Sequence, residues 1–378
     1  MKYWIALPLF SCLLLSVGPQ PEIQPGVRLL GEFLIPPATS FPSITPPRFG
    51  GISGLATLPG GCELLAISDD DRESRFYRLR VSTAEEGLRV TPVERTFLGR
   101  ASGAPARLDP EGIALTKRGT VLISSEGIGA PPRLPPAILE YAQDGRFIQQ
   151  LPVPKHFVPN ATGPLKRGVR RNGGFESLTV TPDFTRLFTA NELPLVQDGP
   201  ADAFAEGGRV RIVEYVTEGE SYRPAREFVY ELSPPERPPF ETGESLNGVS
   251  ELLAVSGTEL LALERGFIRM RGTGIGVNAI RLFRISLEGA TDVSSFESLA
   301  GRDGITPVRK TLVQDFSGLA GRSLRLINLE NFEGLAWVGK DPDRGLLVVS
   351  DDNFNPLQVT AFLLLEPAGA AAARAPCP

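Results

Sequence analysis

The sequence predicts an all-β protein, a β-propeller of four-stranded antiparallel blades, and three observations carry that expectation. The first is composition. The 378 residues include 40 Gly and 35 Pro, 42% are hydrophobic, and no long amphipathic helical repeat runs through them, which favours many short strands joined by turns. The second is an internal repeat of strand pairs. The third is a strand at the start of the chain that belongs to no repeat, matched by a last repeat that lacks one.

Five modules align: "GISGLATLPGGCELLAISDDD" (51–71), "DPEGIALTKRGTVLISSEG" (109–127), "GFESLTVTPDFTRLFTANE" (174–192), "GVSELLAVSGTELLALERG" (248–266) and "NFEGLAWVGKDPDRGLLVVSDDN" (331–353). In each, a small or acidic residue opens an apolar strand. A turn follows, and a second apolar strand closes in an acidic or hydroxyl residue, which is the pattern of a β-hairpin. A third strand comes next in every module, at 75–81, 137–141, 209–215, 279–285 and 359–366, and a fourth in all but the last, at 90–98, 145–153, 226–232 and 308–316. The unassigned strand "GVRLLGEFLIP" (26–36) can complete the final blade and close the ring. Residues 154–173 and 286–330 leave room for a sixth module. A β-sandwich would need Greek-key connections and leaves the repeat unexplained.

In a hairpin the start of one strand lies beside the end of the next. Glu111 therefore meets Glu126, Glu176 meets Glu192, Glu251 meets Glu264, Glu333 meets Asp351, and Ser53 meets Asp69. The first strand of each blade lines the propeller axis, so these pairs are expected to ring one mouth of the channel. Asp at strand ends is ordinary turn chemistry. Glu is not, yet it fills seven of these ten positions. Crowded carboxylates repel one another unless some stay protonated or a cation joins them.

The choice of cation follows from what the chain lacks. With His156 the only histidine and the three cysteines scattered, a His/Cys zinc set cannot be assembled. Carboxylates, amides and carbonyls suit Ca2+, while Mg2+ would need waters to fill its octahedron. The candidate metal ligands are Asp69, Asp70, Glu111, Glu126, Glu333, Asp351, Asp352 and Asn353, with Asn355 nearby, although neither "SDDD" nor "SDDN" matches an EF-hand loop. No G-x-S-x-G elbow, Walker A or dinucleotide fingerprint is present, and "GTGIGVNAI" (272–280) and His156 read as loop residues. A basic cluster, Lys166, Arg167, Arg170 and Arg171, precedes the Glu176 strand, and Arg265 follows Glu264. Guanidinium groups grip phosphate or carboxylate oxygens bidentately, so Arg167, Arg170 and Arg265 are candidate substrate-binding residues.

The net charge of −5 gives no global basic field, which argues against nucleic acid as a partner. The N-terminal segment, with Lys2 and then an apolar run too short for a confident membrane span, reads as a signal peptide over residues 1–20. The expected product is a secreted or periplasmic monomer without stable membrane insertion. Lipidation at Cys12 fits less well because Phe10 is bulky where attachment boxes are small. A single domain then spans 26–367, followed by an Ala/Pro-rich tail, 368–378, expected to be mobile. Outside the leader, Cys62 and Cys377 can pair as a disulfide or remain thiols.

The motifs "GGISGLA", "DPEGIAL", "RRNGGFESLTVTPD", "ANELPL" and "NFEGLAWVGKDPDRGLLVVSDDNFNPLQVTAFLLLE" resemble the phytase-like family, the "esterase-like activity of phytase" domain, over roughly residues 45–366. The resemblance implies an exported propeller-like protein related by analogy to calcium-dependent β-propeller phytases, which hydrolyse phosphomonoesters with bridging metal ions. Its recurring acidic and amide positions fall on Glu111, Glu176, Glu192, Glu333, Asp351, Asp352, Asn353 and Asn355, with Arg171 and Asn172 in an arginine-asparagine motif. Ser53 and the late Glu251 depart from the pattern. The expected function is a Ca2+-dependent hydrolase of small anionic phosphate esters, with Glu176 or Glu192 as general base and Arg171 as phosphate clamp. Two alternatives keep the fold: a non-catalytic binding platform with a structural metal, and a calcium-dependent lactonase or carboxylesterase.

Overall fold

The computed structural model describes residues 27–44, 46, 48–84, 87–99, 104, 107–236, 244–269, 276–320, 329–340, 344–367 and 376–377. The leader, Cys12 and most of the tail lie outside them. The described residues form five four-stranded antiparallel sheets. Blade 1 is β2 (Ile52–Thr57), β3 (Glu63–Ser68), β4 (Arg75–Ala84) and β5 (Gly87–Phe97). Blade 2 is β6 (Pro110–Leu115), β7 (Val121–Ser125), β8 (Ala137–Tyr141) and β9 (Phe147–Gln150). Blade 3 comprises β10 (Thr179–Val180), β11 (Arg186–Ala190), β12 (Arg209–Glu218) and β13 (Ser221–Glu231). Blade 4 comprises β14 (Glu244–Ala254), β15 (Glu259–Arg269), β16 (Gly276–Ser286) and β17 (Arg309–Asp315).

Blade 5 is closed by the start of the chain. Its own strands are β18 (Asn331–Val338), β19 (Gly345–Asp351) and β20 (Thr360–Pro367), and β1 (Val27–Ile35) pairs with β20 from Val27↔Pro367 to Ile35↔Thr360. The innermost strands β2, β6, β10, β14 and β18 neighbour one another in that order, and β18 returns to β2. No sixth blade occurs among the described residues: 154–173 holds a 3-10 turn at Lys155–Phe157, and 286–330 holds β17 and a short helix, Ser317–Ala320.

Strand sequences follow from position in the blade. A blade between two others buries both faces, so middle strands such as β7 and β19 are continuously buried instead of alternating. The outermost β5 alternates exposed and buried over its first six residues because one face meets solvent. The apolar core accordingly divides into inter-blade layers: Leu65, Ile67 and Phe76 of blade 1 pack with Ile113, Val121 and Leu139 of blade 2, and Leu64 and Tyr77 pack with Leu347 and Phe362 of blade 5. Glycine marks the tightest approach at the axis. A side chain at Gly112 would stand 2.5 Å from the Leu178 amide nitrogen, and one at Gly54 would stand 2.7 Å from the Glu111 carbonyl oxygen.

The closure is fastened a second time. Cys62, in the β2–β3 turn at the end of blade 1 remote from Asp69, is disulfide-bonded to Cys377 across 315 residues, with Cα atoms 5.6 Å apart. Cys377 is 1% exposed, and its backbone exchanges hydrogen bonds with Thr83. The end of a tail read as mobile is thus held under blade 1, and such a bond suits an oxidising compartment. No helix among the described residues is long and apolar enough to cross a membrane. Cys377→Ser is expected to cost about 2–5 kcal/mol of stability, read as a lower melting temperature under non-reducing conditions. An unchanged melt would show that β1 alone holds the ring.

Candidate functional site

Each innermost hairpin carries a β-bulge near its mouth end, and this repeated defect builds the site. Pairing slips between Ile52 and Gly54 in blade 1, Pro110 and Ile113 in blade 2, Val249 and Glu251 in blade 4, and Phe332 and Gly334 in blade 5. Blade 3 does the same between the Phe175↔Asn191 bridge and Thr179↔Phe188. A bulge inserts an unpaired residue and re-aims its side chain. The equivalent bulge residues are Ser53, Glu111, Glu176, Ser250 and Glu333, and the equivalent residues at the ends of the second strands are Asp69, Glu126, Glu192, Arg265 and Asp351.

Blade 4 therefore departs from the expected pairing. Ser250 takes the acid's place, and Glu251, one residue later, is buried in the channel, where it accepts hydrogen bonds from the Leu252 amide (2.9 Å) and the Leu178 amide (3.4 Å). Burial pushes its pKa well above the usual carboxylate value, and the register places Ser250, not Glu251, at the mouth position. Glu264 points away from the mouth to Lys310 Nζ (2.6 Å), Tyr230 Oη (2.7 Å) and Asn247 Nδ2 (2.8 Å). Arg265 occupies the ring position instead.

Arg265 lies among acids from the blades on either side. Its guanidinium meets Glu192 Oε1 at 2.6 Å, Glu333 Oε1 at 3.2 Å and Glu176 Oε1 at 3.7 Å, and donates to Asn331 Oδ1 at 3.0 Å. Burial disfavours its charge, but Glu333, Glu192 and Glu176 outweigh that and raise its pKa above the ordinary value. Its terminal nitrogens, expected from the sequence to face substrate, are engaged here by the protein's own acids and by Asn331.

Two groups of carboxylates come close enough to share one ion. Oxygens of Asp109, Glu111 and Glu126 lie within 4.8 Å of one another, as do those of Glu126, Glu176 and Glu192. Burial first, and neighbouring acids second, raise the pKa of Glu111 and Glu176 well above the usual value, Glu126 to about 8, and Asp109 to about 6. Glu126 Oε1 accepts from the Gly174 amide at 3.1 Å. Glu176 Oε2 and Asp69 Oδ1 are buried with no hydrogen-bond partner among the described residues. Buried, all-oxygen and incompletely satisfied, this donor set fits a hard divalent cation. The residues that would hold it are Asp109, Glu111 and Glu126, or Glu126, Glu176 and Glu192.

Blades 1 and 5 contribute the other side of the ring. Asp69 is pushed up to about 7 by burial and then by Glu333, Asp109 and Asp352, while Asp351 is raised by burial and then by Asp69 and Glu333. Glu333 accepts from Asn331 Nδ2 at 2.8 Å. Asp352 is buried beside them, but its Oδ1 accepts from the Gly51 and Phe354 amides. Two proposed ligands do not join the ring. Asp70 accepts from Arg75 Nη1 at 2.6 Å and from the Arg72 and Glu73 amides, so it caps its own loop. Asn353 is exposed, with a positive φ that turns the chain outward. Asn355 Oδ1 accepts from the Leu357 amide within its own turn.

A cleft of about 170 Å³ opens beside the ring, walled by Arg107, Arg133, Arg170, Arg171 and Asn172 and reaching Asp109 and Glu126. Arg171 and Asn172 are exposed there. Arg170 donates to the Pro194 and Gly199 carbonyls, and Arg167 to those of Val158 and Lys155, so both fasten the 154–173 loop. His156 is buried elsewhere, 2.8 Å from Glu227 in a network with Arg211 and Asp198. Sequence reasoning missed Asp109, Asn331 and the exchange of Ser250 and Arg265 into the ring. The trace was visible as Glu251 arriving one residue late.

The sequence profile described as "Phytase-like: Esterase-like activity of phytase" matches residues 47–354. The chain belongs to the phytase-like family. No curated protein matches this phytase-like chain in sequence. Among solved structures it is similar to the major allergen Mala s 1 of Malassezia sympodialis, at 15% identity over 83% of this chain and 78% of that one, with a TM-score of 0.37. It is similar to the periplasmic gluconolactonase of Pseudomonas aeruginosa, at 16% identity over 85% of this chain and 87% of that one, with a TM-score of 0.33. An endo-arabinase of Bacteroides thetaiotaomicron shares 10% identity over 90% of this chain and 99% of that one, with a TM-score of 0.42. The phytase-like match runs from before Ser53 to beyond Asp352 and so covers all five mouth hairpins.

Proposed function

We propose that this phytase-like propeller is a Ca2+-dependent hydrolase of small anionic esters, phosphate monoesters first among them. The observation that carries the reading is Glu126, which belongs both to the acid groups that could share a cation and to the wall of the arginine-lined cleft. An anionic ester entering that cleft would meet Arg171, whose planar guanidinium suits two phosphoryl oxygens. Asn172 stands next to it as a donor. A divalent cation, when bound, supplies Lewis acidity toward a phosphoryl oxygen and makes water more acidic.

The chain's residues divide the remaining work. Glu192, held by Arg265, fixes one edge of the acid group. Glu176 keeps Oε2 without a hydrogen-bond partner among the described residues, so in its ionised form that oxygen can take a proton from an attacking water. The low exposure of the ring acids, 9% or less for Glu111, Glu126, Glu176 and Glu192, keeps bulk water from competing.

Purified protein is expected to release phosphate from p-nitrophenyl phosphate with Ca2+ and to stop on addition of chelator. Glu176→Gln should lower kcat by about 100-fold or more while melting like the wild type. Arg171→Ala should raise KM by about tenfold. No turnover of phosphate, carboxylate or lactone esters with any divalent metal would remove the enzymatic reading. The burial of the acids favours a second reading, in which the cation is structural and the cleft only binds. A Glu176→Gln protein that loses thermal stability in proportion to its Ca2+ affinity, with no turnover to lose, would establish that one.

A further inference from the structure

We infer that Arg265 is the chain's own occupant of a second cation position in the mouth, and that removing it turns that position into an additional Ca2+ site. The inference rests on reading the mouth as a cation site. Four of the five equivalent strand-end positions carry acids, Asp69, Glu126, Glu192 and Asp351, and the fifth carries Arg265. In the same blade the bulge residue is Ser250, so blade 4 adds no acid and leaves room for a long side chain to cross the ring.

Arg265 bridges carboxylates from blades 3 and 5. Glu192, Glu176 and Glu333 surround its guanidinium, and Asn331 supplies a neutral amide oxygen at 3.0 Å. Those groups are the oxygen set a Ca2+ ion accepts, since carboxylates can bind through both oxygens and water can complete the shell. A guanidinium reaches the same acids with a single charge and directional N–H donors. It therefore joins the two blades without metal, and it leaves the blade 2 acids Asp109, Glu111 and Glu126 as the group for a first ion. Removing the counter-ion leaves buried, uncompensated carboxylates, a strong drive to take up another cation.

The experiment is a count of Ca2+ bound per chain, by calorimetric titration and equilibrium dialysis of chelator-stripped full-length protein. Wild type, Arg265→Lys and Arg265→Met are compared, and folding is followed by circular dichroism with and without Ca2+. Arg265→Met is expected to bind one more Ca2+ than wild type and to gain more melting temperature from Ca2+ than wild type does. Arg265→Lys, which keeps a cation in place, should bind the wild-type number. Equal numbers in wild type and Arg265→Met overturn the inference, as does an Arg265→Met protein that stays unfolded at saturating Ca2+. If wild type binds no Ca2+ while Arg265→Met binds one, the inference stands and the wild-type calcium reading fails. If neither binds any, both fail.

Discussion

Without divalent metal, Arg265→Met unfolds with a stability lower than wild type by about 3–5 kcal/mol, the usual cost of leaving buried carboxylates without their counter-ion. The effect is large because Arg265 serves three acids at once. Glu192, Glu333 and Glu176 lie within 3.7 Å of it, and none has another cationic side chain within ion-pair distance among the described residues. Urea denaturation in the presence of chelator measures the difference. A loss below about 1 kcal/mol, the size of an exposed ion pair, would mean that the acids are already protonated and do not depend on the guanidinium. Arg265→Lys should fall between, since an ammonium carries the charge but cannot reach Glu192 and Glu333 with a planar fork.

Chelated wild-type protein loses stability as pH rises from about 4 to about 8, and Ca2+ reverses the trend. The sign follows from linkage. Glu126 rises from 4.5 to about 8 and Asp69 from 3.8 to about 7, with burial the largest cause in each and nearby acids next. Over that window the folded state holds more protons than the unfolded state, so stability is full below the unfolded pKa values and falls as pH passes through the folded ones. A bound cation replaces the protons. At a hundredfold excess over its dissociation constant it adds about 2.7 kcal/mol. Melting curves at pH 5 and pH 8, each with chelator and with Ca2+, give the test. A chelated protein equally stable at both pH values, or one that Ca2+ leaves unmoved at pH 8, would show that the mouth neither stores protons nor takes the ion.

The blades were legible in the sequence because each is a local pattern. A middle strand such as "VLISS" (121–125) or "LLVVS" (346–350) is apolar throughout since both its faces are covered, and the surplus strand at 27–35 announced the closure. Most of the ring was legible for the same reason: a hairpin brings its two ends together whatever lies around it. Asp69, Glu111, Glu126, Glu176, Glu192, Glu333 and Asp351 all arrive where hairpin geometry puts them. Asp70 and Asn355 do not, because a carboxylate or amide in a loop can satisfy the backbone of that loop as readily as an ion, and Asn353 is exposed.

Composition, repeat spacing and the acids at strand ends were enough to determine five hairpin modules, their circular closure and an oxygen-rich mouth. Only the tertiary structure decided which side chain of blade 4 enters that mouth. Strand side chains alternate between faces, so a single inserted residue at the bulge exchanges Glu251 for Ser250, and the ring takes Arg265 where spacing alone had placed Glu264. The charge balance at the centre of the protein turns on that shift of one residue.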